Sequence, residues 1–279
     1  MEARHVVHAV AIRDGRLVFT AGDPGLVTLL RSSAKPMQAL PVVRARPDLD
    51  DEQVALLCAS HRSTLEQLAV VRRILAQAPA TEADLECGGD PTPIEHNCSG
   101  KHAGMLALCR AQGWPIAGYR LPEHPCQRAM AETIADAVDV APSSLRAAVD
   151  GCGVPTFAVT LEQAARAFTR IADLDGGERV ARAMRRHPEL LRGPVAADTD
   201  LARLLDGWIA KGGAEGLLCA ASAEGLGLAL KVVDGSFRAL APAVVHVLAR
   251  LGVDASGLGG DMLRNSRGET VGALRVAWQ

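Results

Sequence analysis

Four lysines stand out in this chain because almost every other basic residue is an arginine. The 279-residue sequence has 30 lysines and arginines together, and its lysines occur only at positions 35, 101, 211 and 231. Arginine replaces lysine well as a surface charge, but a guanidinium does not lose its proton in proteins, whereas an amine can. We therefore expect that some of these lysines are retained because their amines transfer protons.

Ser32 and Lys35 are a serine–lysine pair three residues apart in the segment RSSAKP, residues 31–36. On a helical turn this spacing places the amine over the hydroxyl on one face. A serine needs a base to become a nucleophile, and a desolvated lysine amine can be that base. The same short pattern also fits a helix-capping serine followed by a surface lysine, so it indicates catalysis only together with other motifs.

Three further segments carry dense groups of polar side chains. Residues 56–61 (LLCASH) end an apolar run with a serine and a histidine, which also fits a plain loop. Residues 97–102 (NCSGKH) open a predicted helix, where backbone amides favour an anion, although the spacing of a phosphate-binding Walker loop is absent. Residues 149–155 (VDGCGVP) predict a tight turn in which Asp150 binds an ammonium or, alternatively, a plain glycine turn around a buried cysteine.

The two lysines in the second half of the chain differ in their surroundings. Lys231 lies inside the apolar run 228–235 (LALKVVDG), where a charge is costly unless it is paired or faces a cleft or solvent. Lys211 precedes Gly212 and Gly213 at the predicted end of a helix, where a cation suits the helix dipole. We therefore interpret Lys231 as a candidate functional residue and Lys211 as structural.

Taken in order, the segments RSSAKP, CASH, NCSGKHAGML, DGCGVPTFA and ALKVVDG resemble the L-asparaginase II family of the Rhizobium thermolabile type, across residues 31–235. The resemblance implies a fold similar to serine β-lactamases, penicillin-binding proteins and serine-type glutaminases. It also implies hydrolysis of L-asparagine to L-aspartate and ammonia through an acyl-enzyme on a lysine-activated serine. In those relatives a late strand carries Lys-Thr-Gly, whereas this sequence has Lys-Val-Val at 231–233.

The same resemblance assigns roles to individual residues, which fall into three groups. Catalysis is implied for two serine–lysine pairs, Ser32 with Lys35 and Ser60 with Lys231. Substrate binding is implied for Arg31, His61, Asn97 and Asp150. A zinc ion that modulates binding, without being essential, would be held by Cys98, Lys101 and Cys152, and no organic cofactor is expected.

Several alternatives remain open at this stage. Ser32 has its base one turn away, but Ser60 could be the nucleophile or could relay protons. A glutaminase would use the same groups with a pocket one methylene longer, a difference worth only about 1–3 kcal/mol. A zinc-dependent amidohydrolase, a penicillin-recognising hydrolase and a zinc-binding module without enzymatic activity are the other interpretations.

The order of helices and strands predicted from the sequence indicates an α+β fold that positions these residues. Apolar, β-branched runs at 5–13 and 16–21, joined by Asp14-Gly15, predict a hairpin. Helices are predicted from about Ser32 and at 64–78, 101–112, 125–138, 161–172, 177–187, 199–211 and 241–251, and strands at 216–222, 226–233 and 270–277. Since the strands gather at both ends of the chain, the N- and C-terminal segments should meet in one antiparallel sheet with helices packed around it.

Composition limits the class of protein. Apolar residues make up 48% of the chain and the formal net charge is −2, so we expect a single globular domain over 1–279 with no nucleic-acid partner. Seven cysteines without a CxxC pair, and no export or membrane-spanning segment, favour reduced thiols in a cytoplasmic protein. The expected partner is the small-molecule substrate L-asparagine, with no membrane contact, in a homodimer.

Overall fold

A computed structural model describes residues 1–89 and 92–277 of the chain. Its strands are β1 (Val7–Arg13), β2 (Arg16–Ala21), β3 (Val27–Leu29), β4 (Arg146–Val149), β5 (Pro155–Thr160), β6 (Trp208–Gly213), β7 (Leu217–Ser222), β8 (Leu226–Val232), β9 (Met262–Arg264) and β10 (Thr270–Ala273). Its α-helices are α1 (Lys35–Ala45), α2 (Asp51–Leu57), α3 (Leu65–Gln77), α4 (Ser99–Gln112), α5 (Pro125–Ala137), α6 (Leu161–Arg170), α7 (Gly177–Arg186), α8 (Pro188–Leu191), α9 (Ala197–Leu204) and α10 (Leu240–Arg250).

The main sheet joins the N-terminal hairpin to three strands from the last third of the chain. Its order is β2-β1-β8-β7-β6, with every neighbouring pair antiparallel. The hairpin turns at Asp14-Gly15, both with positive φ, as a tight two-residue turn requires. Strand β1 pairs with β8 over its whole length, from Val7 opposite Val232 to Arg13 opposite Leu226. The predicted α+β class, with both ends of the chain in one antiparallel sheet, is confirmed.

Two apolar layers hold helices against this sheet. On one face α6 packs on β1, β7 and β8, and its core continues into the helices of the middle of the chain. On the other face, residues of α10 and α9 share a second core with the alternate residues of the same strands. Both faces of the sheet are covered, so the candidate site around Ser32 lies at the edge of the sheet, where β6 meets the turn that precedes α1.

A second, smaller sheet carries the other half of the site. Its order is β3-β5-β4, and β3 leads directly into a 3-10 turn at Arg31–Ala34. Strands β4 and β5 are joined by the glycine-rich turn that follows Asp150, in which the N–H of Gly153 donates to the Asp150 carbonyl at 2.9 Å. This sheet brings the segments RSSAKP and VDGCGVP side by side.

Two of the predicted elements are wrong. The helix predicted over 199–211 ends at Leu204, because Asp206-Gly207 turns the chain and β6 begins at Trp208. All six residues of β6 are buried, and a short apolar run of this kind does not show a period that separates strand from helix. The final strand is shorter than 270–277 and pairs with β9 in a separate two-stranded sheet, not with the main sheet.

Within the described part of the chain, none of the helices has the length and apolar character needed to cross a membrane.

Candidate active site

The turn that holds Ser32 follows a residue in an unusual backbone conformation. Arg31 has φ of 48°, in the left-handed region that non-glycine residues rarely adopt, and its N–H donates to Thr156 Oγ1 at 2.9 Å. Such backbone conformations persist only where the surroundings impose them, and they cluster at functional sites. Ser32 itself is partly exposed, and its hydroxyl makes no hydrogen bond to any other described residue.

Lys35 opens α1 and is completely buried. Its Nζ donates to Ser60 Oγ at 3.0 Å and also to the carbonyl of Ala59. Burial lowers the pKa of the Lys35 amine, and the nearby Cys98 thiolate opposes part of that shift. An amine with a lowered pKa beside a hydroxyl is the arrangement that general-base activation of a serine needs.

Ser60 reaches this amine because of where α2 ends. Its N–H donates to the Leu191 carbonyl at 2.7 Å, which holds the segment after α2 in place, and only 6% of the residue is exposed. The direct side-chain contact of Lys35 is thus with Ser60, whereas the spacing in the sequence indicated Ser32. Ser32 therefore precedes this lysine by three residues along the chain, and Ser60 contacts it across space.

Two thiols and an amine form a second group next to this pair. Lys101 Nζ donates to Cys152 Sγ at 3.1 Å, and the Cys98 and Cys152 thiols are hydrogen bonded to each other. That hydrogen bond from Cys152, together with the Lys35 and Lys101 charges, lowers the pKa of Cys98 well below its usual value despite burial. The same contact and burial raise the pKa of Cys152. Burial opposes the charge of Lys101, but the sulfur atoms outweigh it and raise its pKa.

The zinc ligands implied by the resemblance are therefore together in space. Cys152 Sγ accepts from Lys101 Nζ at 3.1 Å and is also hydrogen bonded to Cys98, which is compatible with three ligands on a tetrahedral ion with bonds of about 2.0–2.3 Å. No group of three His, Cys, Asp or Glu side chains that could hold a metal occurs among residues 1–89 and 92–277, so a metal here requires the amine of Lys101 as its third ligand.

Arg31 and Asp150 face each other across the small sheet. Their side chains form an ion pair, and Asp150 also accepts from the Gly151 N–H at 2.9 Å. Asp150 lies two residues before Cys152, the partner of Lys101, in a tight turn, so a carboxylate and a guanidinium border the buried group of lysines. An amino acid carries the complementary pair of charges.

The polar groups of His61 and Asn97 interact with other residues of the protein. His61 Nδ1 accepts from the Ser63 N–H at 3.2 Å, so its Nε2 donates to Ser99 Oγ at 2.8 Å, and burial lowers its pKa to about 4. Both ring nitrogens are thus occupied. Asn97 is exposed, its side-chain amide lies 3.1 Å from Cys98 Sγ, and its backbone carbonyl accepts from the His61 N–H.

Lys231 and Lys211 lie on different strands of the main sheet. Lys231 is on β8, where its Nζ donates to the Val232 carbonyl near the charges of Glu215 and Asp234. Among the residues that the structure describes, Lys231 makes no contact with Ser60. The pairing of Ser60 implied by the resemblance is therefore not seen, and Ser60 is paired with Lys35 instead.

Lys211 is completely buried on β6, the strand beside the Ser32 turn. Ser33 Oγ donates to the Lys211 carbonyl at 2.9 Å, and a side chain at Gly213 would come within 2.8 Å of the Leu30 carbonyl. Lys211 Nζ lies 3.4 Å from Asp198 Oδ2 and donates to the Gly212 carbonyl at 2.8 Å. Burial lowers the pKa of Lys211 to about 7, and the charge of Lys35 contributes in the same direction.

Sequence reasoning missed Lys211 and its partner Asp198. The cause was the assignment of 199–211 to one helix, which made Lys211 a helix-end cation. Two signals pointed the other way: the scarcity of lysine, and the Lys-Gly-Gly segment at 211–213, where the absence of side chains lets β6 approach the Ser32 turn.

A family model for L-asparaginase II matches residues 1–276. The chain belongs to the L-asparaginase II family. This membership, predicted from the motifs, is confirmed, and it makes the protein an amidohydrolase that acts on a small molecule. A comparison with curated proteins gives no significant match.

Two solved structures are similar to this member of the L-asparaginase II family. One, described as a beta-lactamase from Bacteroides dorei DSM 17855, is 10% identical with a TM-score of 0.49, and the match covers 88% of this chain and 94% of that one. The other, a beta-lactamase from Mycobacterium bovis, is 15% identical with a TM-score of 0.39 over the same shares of the two chains.

Proposed function

We propose that this protein hydrolyses L-asparagine to L-aspartate and ammonia through an aspartyl ester on a serine activated by lysine. The observation that carries the proposal is the buried Lys35 amine, 3.0 Å from the Ser60 hydroxyl and one turn after Ser32. Burial lowers the pKa of this lysine, so its amine loses its proton more readily than an exposed lysine and can act as a base.

The Arg31–Asp150 pair is the candidate site for the head of the amino acid. In this proposal the α-carboxylate of the substrate binds the guanidinium and its α-ammonium binds the carboxylate, so the substrate replaces the ion pair seen without it. Paired contacts of this kind fix both the position and the orientation of a small ligand. The side-chain amide of the substrate would then extend towards the serines.

Ser32 is the proposed nucleophile because its hydroxyl is partly exposed and has no hydrogen-bond partner among the described residues, whereas Ser60 is buried and bonded to the base. The Ser32 oxygen attacks the amide carbon, and its proton passes to Lys35. The proton then moves from Lys35 through Ser60 to the amide nitrogen, the C–N bond breaks, and ammonia leaves. Water hydrolyses the ester with the same lysine as base, which restores Ser32.

Lys211 takes, in our proposal, the position that the resemblance gave to Lys231. It does so as a positioning residue: its carbonyl accepts from Ser33 Oγ and holds the turn, and its amine lies close enough to Lys35 for the Lys35 charge to lower its pKa. Asp198, whose pKa is lowered to about 2 because Lys211, Arg192 and two backbone N–H groups outweigh its burial, keeps Lys211 in place.

Cys98, Lys101 and Cys152 are the residues that would hold a zinc ion. Bound there, the ion would supply a fixed positive charge at the edge of the substrate site. Without it, the Cys98 thiolate and the Lys101 ammonium balance each other's charge. No step of the proposed reaction passes through the metal.

The test is ammonia release from L-asparagine and from L-glutamine, measured on one preparation in the presence and absence of a chelator. We expect turnover of L-asparagine that exceeds that of L-glutamine and that persists in the metal-free protein. Preference for glutamine would make the protein a glutaminase. Activity that vanishes on chelation and returns in proportion to added zinc would make it a zinc-dependent amidohydrolase.

A further inference from the structure

A cleft of about 480 Å³ lies beside the proposed site and has no role in the reaction described so far. Its volume falls within the usual range for small-molecule sites and is larger than the side-chain amide of asparagine requires. Its walls come from the loop after α8, the start of α9, the strand β6, the start of α10 and the segment around β9.

Three elements of the candidate active site continue into this cleft. Arg62 lies two residues after Ser60, and Arg192 follows Leu191, whose carbonyl accepts the Ser60 N–H. Gly212 follows Lys211 on β6 and also lines the cleft. The cleft is therefore an extension of the serine–lysine site, on the side of β6 and α9. The Arg31–Asp150 pair belongs to the small sheet instead.

The lining of the cleft combines an apolar wall with three arginines and two aspartates, so its positive charges outnumber its negative ones. Arg62 donates to the Pro194 carbonyl at 2.8 Å and has no ion-pair partner among the described residues. Arg192 lies over the Phe237 ring, 5.7 Å from its centroid, and its charge is paired with Asp198, whose Oδ2 lies 3.4 Å from Arg192 Nε. The apolar wall is formed by Phe237, Leu240, Met262, Leu263 and Leu274.

The loop that joins Arg192 to α9 is held in a strained conformation. Val195 has φ of 60°, which is rare for any residue with a branched Cβ, and 88% of it is exposed at the rim of the cleft. A strained, exposed apolar residue beside a catalytic site indicates a loop shaped for a ligand and not for packing.

We infer that the cleft binds a substituent on the amide nitrogen of the substrate, and that the substituent is apolar and ends in a carboxylate. The substrate class is thus β-aspartyl amides of apolar amino acids, in addition to L-asparagine. This inference rests on the proposed function, because the amide nitrogen extends towards β6 only if the head of the substrate binds Arg31 and Asp150. The apolar part would contact Phe237 and Met262, and the carboxylate would bind Arg62.

The chemical step is the same as for asparagine, with a different leaving group. The serine oxygen forms an ester with the β-carbonyl carbon, and the C–N bond of the amide breaks. The proton removed from the serine goes to the nitrogen, so the amino acid leaves with a free amine. Water then hydrolyses the ester to L-aspartate.

The experiment compares three substrates with the wild-type protein: L-asparagine, β-aspartyl-L-phenylalanine, and β-aspartyl-phenethylamine, which lacks only the carboxylate. We expect hydrolysis of β-aspartyl-L-phenylalanine with kcat/KM about tenfold above that of β-aspartyl-phenethylamine, the usual effect of one charged hydrogen bond. Arg62→Gln should abolish this difference while kcat/KM for L-asparagine stays within about twofold of wild type.

Matched variants separate the cleft from general effects. Met262→Ser should lower kcat/KM for both N-substituted substrates, whereas Val271→Ser, on β10 and outside the cleft, should leave all three unchanged. Arg62→Lys keeps the charge and should keep most of the preference, which guards against a folding defect in Arg62→Gln.

The possible failures are distinguishable. Ammonia release from L-asparagine, combined with neither hydrolysis of nor inhibition by β-aspartyl-L-phenylalanine, would overturn the inference and leave the proposed function standing. Hydrolysis of both N-substituted amides at equal rates, unaffected by Arg62→Gln, would also overturn it. Failure to hydrolyse any of the three would refute the proposed function and the inference with it.

Discussion

Lys211 and Lys231 lie on strands of the same sheet, yet their surroundings are opposite. Lys211 is fully buried on the edge strand β6, beside the Ser32 turn and within electrostatic reach of Lys35. Lys231 is partly exposed on β8, two strands further in, and its nearest charges are those of Glu215 and Asp234. Strand order in the sheet, and not order along the sequence, decides which lysine can influence the serines.

The difference also explains why so few lysines remain in the chain. Lys35, Lys101 and Lys211 are buried: the charges of Lys35 and Lys101 lower the pKa of Cys98, and the charge of Lys35 lowers that of Lys211. Arginine cannot replace a buried amine that has to lose its proton. Lys231 does not have to lose its proton in our account. Four substitutions, at Lys35, Lys211 and Lys231, test this difference between the buried lysines and Lys231.

The largest effect is expected at Lys35. Lys35→Arg keeps the charge but removes the base, so kcat should fall by about 10²–10⁴-fold, the usual contribution of general acid–base catalysis. Steady-state ammonia release measures it, with Lys231→Arg as the matched control that should retain activity within about twofold. Near-normal turnover of Lys35→Arg would refute the serine–lysine mechanism.

The direct comparison is between Lys211→Met and Lys231→Met. The Lys35 charge lowers the pKa of Lys211, so the two ammonium groups repel each other. Loss of the Lys211 amine removes this repulsion, so the ascending limb of kcat/KM should move to higher pH, and activity at neutral pH should fall about tenfold for each pKa unit. Lys231→Met should leave the profile unchanged. A shift in Lys231→Met and none in Lys211→Met would reverse our assignment and restore the pairing of Ser60 with Lys231. Circular dichroism and Tm of both variants control for folding, because Lys211→Met leaves Asp198 with Arg192 as its remaining charge partner.

A smaller effect is expected at the thiols. Cys98→Ala or Cys152→Ala should abolish zinc binding, measured by elemental analysis, and should raise KM more than it lowers kcat, since the site lies next to Asp150 and not at the serines. Cys126→Ala, at a buried thiol in contact with Cys109, is the control and should change neither quantity. Equal loss of kcat in all three variants would point to a packing effect.

The smallest effect concerns stability. Burial holds the pKa of Lys211 at about 7, below its value of 10.5 in the unfolded chain. Below pH 7 both states are protonated and the cost of burying the ammonium is present in full. Between the two pKa values the folded state binds fewer protons, so this cost is relieved as pH rises. Urea unfolding at pH 7 and pH 10 should therefore show that wild type gains stability relative to Lys211→Met. No relative gain would mean that the Lys211 amine stays charged in the fold.

The sequence allowed the fold class and the family to be predicted, for identifiable reasons. The Asp14-Gly15 hairpin and the Thr64 cap, which accepts from the Gln67 N–H, are local signals and agree with the structure. The glycine-bearing segments around Cys98 and Cys152 were correctly expected to lie together, although only the resemblance indicated this. The contact between Lys35 and Ser60 joins α1 to the end of α2, and no spacing along the chain reveals it.

The strand β6 shows where such reasoning fails. Its six residues are all buried, so they lack the alternation that identifies a half-exposed strand. Once Lys211 was placed in a helix, neither its contact with Asp198 nor its position beside the Ser32 turn could be anticipated. The Asp206-Gly207 turn was the local signal that could have corrected this, because Gly207 has φ of 76° and ends the preceding segment.

The most direct test of the mechanism is to map the covalent intermediate. Wild-type protein quenched in acid during turnover of L-asparagine, then digested and analysed by mass spectrometry, should carry one aspartyl group on Ser32. The adduct should be absent in Ser32→Ala and should form slowly in Lys35→Arg. An adduct on Ser60 would exchange the roles of the two serines. Rapid turnover with no aspartyl group on any serine would contradict the acyl-enzyme account.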